Sequence, residues 1–112
     1  MTLAEKILAA HGGQESVQPG EFVNVRVDLV VSTHATGLLS VRQFHNLGAK
    51  KVFDPHKVVF VVDPFAAPQN MELAETAKEL RAFAARQGIS FYDVSRWGLV
   101  QVLPPEKGLV LP

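Results

Sequence analysis

An α/β fold is predicted, a three-layer sandwich with a mainly parallel sheet of three to four strands and helices on both faces. Three features of the sequence carry that expectation. Segments with the two-residue period of a strand alternate with segments of helical period. The run Val58 to Val62 is apolar at every position, so both of its faces must be covered, as in the centre of a parallel sheet. The order strand, helix, strand, helix, strand is that of right-handed crossovers onto such a sheet.

Thr2 and Glu5 have the spacing of a capping box, and Leu3, Ile7 and Leu8 form an apolar stripe, so a short helix is expected to run to about His11 and stop at Gly12 and Gly13. Gln14 to Gly20 reads as loop, closed by the Pro19-Gly20 turn. From Phe22 to Val31, Val23, Val25, Val27, Leu29 and Val31 alternate with Asn24, Arg26 and Asp28, which predicts the first strand. A second helix is expected from Thr36 to Leu47, with Val41, Phe44 and Leu47 on its apolar face, Leu38 and Leu39 off it, and Gly48 as its stop.

Asp63 ends the apolar run, and Pro64 to Asn70 is a loop whose last residue can cap the next helix. That helix, Met71 to Gln87, should bury Leu73, Ala77, Leu80 and Ala84 with Phe83 beside them. Ile89 to Val94 is the expected third strand. The tail, Pro104 to Pro112, is expected either to add a short strand at Leu109 to Leu111 or to fray.

With 112 residues, 47% of them hydrophobic, residues 1–112 fit one domain able to bury a core without disulfides or metals. Eleven basic and eleven acidic side chains cancel with no run of like charge, so neither nucleic acid nor an anionic membrane is an expected partner. The absence of cysteine excludes disulfides, thiol catalysis and any cluster held by this chain's own thiolates. It also fits a cytoplasmic protein. No apolar run approaches the ~20 residues of a membrane span, and no export signal is read.

Ligands in open α/β sheets gather outside the carboxyl ends of the strands. Here those ends are Ser32 to Thr36, Asp63 to Pro68 and Ser95 to Gln101, and they should form one rim. The histidines, His11, His34, His45 and His56, are scattered without paired ligand spacing, so no metal site is expected. The glycines form neither GxGxxG nor a phosphate loop, and Ser40 and Ser95 sit in no nucleophile elbow. Asp63 and Asp93 read as loop caps rather than as an acid–base pair. No catalytic residue and no cofactor is therefore expected.

The last stretch, FYDVSRWGLVQVLPPEKGLVLP, resembles the segment YDVGRxGIxHxxLPEKGLVxPGD of the large subunit of isopropylmalate dehydratase and the wider aconitase group. The likeness extends through TLAEKILAAH, PGEFV, VDLVV and KVFDPHKVVFVVD, in that order, and covers about the first quarter of such a subunit. It implies a [4Fe-4S] enzyme that removes and re-adds water on a 2- or 3-hydroxy acid, with the cluster cysteines further along the chain.

Carried over by position, the family's active-site His falls on Gln101, the residue before it, often acidic, on Val100, and the family's first Gly on Ser95. Its Asp-His after the second strand corresponds to Asp63 and Pro64, and its amide or His followed by Asp corresponds to Thr33 and His34. A family Pro aligns with Leu38, and a variable non-aromatic position with Trp97. The chain stops one residue before the family's Gly-Asp.

Changes clustered at strand ends and tending towards apolar or rigid residues suggest a binding face. The expectation is a catalytically inactive domain, engineered or repurposed as a protein-binding scaffold. Its partner-binding residues would be His34, Leu38, Pro64, Phe65, Arg96, Trp97, Val100 and Gln101, and the partner a foreign protein or a second copy of the chain. Trp97 is equally readable as core, and Leu99 and Phe65 as structural. The alternatives are a fragment of an iron–sulfur hydro-lyase that needs other domains, and an inert isolated domain.

Overall fold

The computed structural model describes residues 1–62, 71–92 and 103–108. In chain order these contain α1 (Leu3–Gly12), β1 (Val30–Thr33), α2 (His34–Asn46), β2 (Val58–Val61), α3 (Met71–Gln87), β3 (Ser90–Tyr92) and α4 (Leu103–Glu106). A 3-10 turn at Pro55–Lys57 precedes β2, with Asp54 capping it by accepting the backbone N–H of His56. The sheet is three-stranded, parallel, in the order β1-β2-β3, so the expected α/β architecture stands.

β2 is the centre of this sheet, as its unbroken apolar run requires: all four of its residues are buried. The pleat splits it. Val58 and Phe60 join Leu38 and Val41 of α2 and Leu80, Phe83 and Ala84 of α3 in one core cluster. Val59 and Val61 point the other way, towards Leu29, Val31 and Tyr92. The two crossover helices thus share one face of the sheet and pack on each other. Edge-to-face contacts of Phe83 with Phe44, and its stacking on Phe60, lock this side.

Leu80 is 0% exposed and sits where α2 and α3 come closest. Gly37 permits that approach, because a Cβ there would lie 3.3 Å from Leu80 Cδ2. Removing a leucine side chain of this kind from water is worth roughly 1.5–3 kcal/mol, so this crossing anchors the helical layer.

The capping box at Thr2 and Glu5 forms as expected, each side chain accepting the other residue's backbone N–H. Its helix, however, turns Leu3, Ile7 and Leu8 outward and buries Ala9, because α1 packs by its small residues on the chain that follows rather than on the sheet.

The first strand also differs from expectation. Pairing begins only at Val30, and residues 22–29 are unpaired in the sheet. Alternation marks an extended chain, but a strand also needs an edge to bond to. Here the N–H of Arg26 goes to the carbonyl of His11, and Val23 abuts Gly12 so closely that a Cβ there would lie 3.1 Å from Val23 Cγ1.

α2 starts two residues before the expected Thr36, and its buried face is His34, Gly37, Leu38 and Val41 rather than a stripe ending at Leu47. Leu38 is 9% exposed while Leu47 is 83% exposed, since the helix ends at Asn46 and Leu47 caps it pointing away. α3 matches its expected bounds and buries Leu80, Phe83 and Ala84, with Ala77 half-buried. The expected Asn70 cap, the caps at Asp63 and Asp93, and the short strand at Leu109 to Leu111 lie outside the described residues.

Candidate functional site

The described part of the strand-end rim is the junction of β1 and α2, where the strand runs straight into the helix at Thr33 and His34. Thr33 is the helix N-cap, in extended conformation, but its side chain makes no capping hydrogen bond. The first-turn N–H groups of α2 thus lack the side-chain acceptor that normally satisfies one of them. Instead the hydroxyls form a cluster: Ser32 Oγ lies 2.7 Å and Thr33 Oγ1 3.2 Å from Thr36 Oγ1.

His34 stands in this first turn, 9% exposed, and its Nδ1 is buried with no hydrogen-bond partner among the described residues. A buried polar atom without a partner is costly to keep. An open helix N-terminus carries partial positive charge, roughly half an elementary charge. Both features fall at the start of α2, where the helix dipole favours a negatively charged group.

Of the other expected site residues, Leu38 lies one turn along α2 but packs into the core, because positions 34, 37, 38 and 41 share a helix face. Pro64, Phe65, Arg96, Trp97, Val100 and Gln101 lie outside the described residues. Sequence reading included His34 only as the edge of an apolar patch. Its burial at an uncapped helix start had no local signal, since Thr33 is a competent capping residue by type.

No protein-family model matches the sequence. Among curated proteins, the 3-isopropylmalate dehydratase large subunit of Moorella thermoacetica is 47% identical over an alignment that covers 100% of this chain. Large subunit 1 of Pyrococcus furiosus is 43% identical and the large subunit of Thermodesulfovibrio yellowstonii 42% identical, again over all of it. The chain is homologous to part of a 3-isopropylmalate dehydratase large subunit. It spans about a quarter of these relatives' length, 27% in each of the three.

This homology corrects the expectation of a non-enzyme. Proteins 38% to 47% identical along the entire dehydratase-related stretch are named as enzyme subunits, and nothing in them supports an engineered or binding scaffold. The replaced rim positions had suggested lost chemistry, but the proteins similar at this level are named as subunits of an enzyme. An iron–sulfur cluster does not fit the residues present: the chain has no cysteine, and no group of three or more metal-binding side chains occurs among the described residues. No described helix is long and apolar enough to cross a membrane.

Proposed function

We propose that this chain is a working portion of a hydro-lyase large subunit of the isopropylmalate dehydratase kind, active only in company with the rest of that subunit. The observation that carries the reading is identity of up to 47% along the whole chain, with no part of it left unmatched. Substrates of such an enzyme are small dicarboxylates. The start of α2, where Thr33 adds no side-chain cap and His34 Nδ1 has no partner among the described residues, supports a role in holding one substrate carboxylate. Cluster ligands, which this chain lacks, would come from elsewhere in the subunit.

A second feature favours the same reading. Leu3, Ile7, Leu8 and Leu39 leave large apolar surface exposed. A portion of a larger body would bury it against the remainder.

The test is a chimera in which this chain replaces the homologous quarter of the Moorella thermoacetica large subunit, assayed for dehydration of 3-isopropylmalate. Turnover above background is expected, and His34→Ala should lower kcat/KM while leaving assembly intact. A chimera that assembles normally and turns over nothing would overturn the proposal.

A further inference from the structure

A cleft lies at the opposite end of the sheet from the strand-end rim, where α2 and α3 finish and β2 and β3 begin. It consists of two adjoining hollows of about 610 and 260 Å³ that share Phe44, Lys51, Val52 and Phe83. The smaller is almost wholly apolar, floored by Val58, Phe60 and Ile89 and flanked by Phe53. The larger carries Lys50, Lys51 and Arg86. Among the described residues no acidic side chain lines either hollow, and none of these three cations forms an ion pair.

The basic strap is held in place. Gln87, the last residue of α3, accepts the N–H of Val52 at 3.0 Å and donates from Nε2 to the carbonyl of Lys50 at 2.9 Å. One side chain thereby fixes both ends of the segment that carries Lys50 and Lys51. Two helix C-termini point here, but each contributes only about half a negative charge, and three full cations outweigh them. His45 stands edge-on to both Phe44 and Phe83, so an aromatic wall faces the basic strap.

We propose that this cleft binds a small anion with a flat apolar body, the apolar part in the hollow over Phe60 and the anionic group against Lys50, Lys51 and Arg86. The combined size suits a small ligand, since such sites run to roughly 300–1,000 Å³ and pair apolar walls with a few placed charges. The site is separate from the α2 N-terminus, so its fate does not depend on the proposed hydro-lyase role.

The test uses this chain with 2-naphthoate as probe and neutral 2-naphthamide as its isostere, followed through backbone amide shifts. Saturable shifts are expected at Val52 and Gln87 with naphthoate, and binding about tenfold weaker for the amide, as expected when a charge-assisted contact is lost. Lys51→Gln combined with Arg86→Gln should weaken naphthoate about tenfold while leaving other amides unmoved, because both side chains are exposed. Equal binding of the two probes, unchanged affinity in the double variant, or shifts elsewhere on the chain would each overturn the proposal.

Discussion

His11 and Asp28 join the end of α1 to the extended chain ahead of β1, with His11 Nε2 2.5 Å from Asp28 Oδ2. The other ring nitrogen, Nδ1, lies 2.9 Å from the carbonyl oxygen of Ile7. Both nitrogens face acceptors, so only the imidazolium satisfies the two contacts at once. The Asp28 hydrogen bond, the Ile7 carbonyl and the Asp28 charge raise the pKa of His11 above its usual 6.5. The hydrogen bond from His11, its charge, and Arg26 and Lys57 lower that of Asp28 below its usual 3.8.

The sign of the pH dependence follows. His11, raised in the folded state, contributes its full stability below pH 6.5 and loses it as pH rises through the folded value. Asp28, lowered, contributes fully above pH 3.8 and loses it as pH falls through its folded value. Urea midpoints measured from pH 3 to 9 should show the pair's full effect between those two limits. The advantage of the parent over His11→Gln should shrink above pH 6.5; an advantage constant up to pH 9 would refute the imidazolium contact.

Leu80→Ala removes the most enclosed side chain of the core. A loss of about 2–5 kcal/mol is expected from urea unfolding, as for buried leucines in general. A loss below 1 kcal/mol would mean that α2 and α3 do not meet as described.

Gly37 and Leu80 should be coupled. Alanine at a mid-helix glycine normally gains about 1 kcal/mol, but here its Cβ would crowd Leu80 Cδ2 at 3.3 Å. Gly37→Ala is therefore expected to be neutral or destabilising in the parent and stabilising by up to about 1 kcal/mol in a Leu80→Ala background. Equal effects in the two backgrounds would place the residues out of contact.

Gln87→Leu deletes two hydrogen bonds while keeping the volume. A stability loss of about 1–3 kcal/mol is expected, together with faster hydrogen exchange at the amide of Val52. An unchanged exchange rate there would show that Gln87 does not hold the strap.

Much of the fold was legible because it rests on local chemistry. The unbroken apolar run of β2 requires cover on two faces, and the capping box of α1 and the periodicity of α3 are satisfied within a few turns of chain. The likeness to dehydratase large subunits was legible too, through motifs in a fixed order, but the inference from replaced rim residues to lost activity failed. Substitutions at a handful of positions say less about lineage than identity along the entire chain.

By itself the sequence determined the three longer helices, that β2 lies at the centre, and which family the chain resembles, but not the short helix α4, which falls where a tail was expected. Tertiary structure decided the rest, since those outcomes depend on partners distant in sequence. The alternating stretch at residues 22–29 stays out of the sheet because α1 takes the hydrogen bond of Arg26. Leu38 rather than Leu47 enters the core because α3 lies against that side of α2. His34 is buried with its Nδ1 unpartnered among the described residues, which nothing in its neighbouring sequence signals. Periodicity reports that a face is apolar; only packing determines what that face meets.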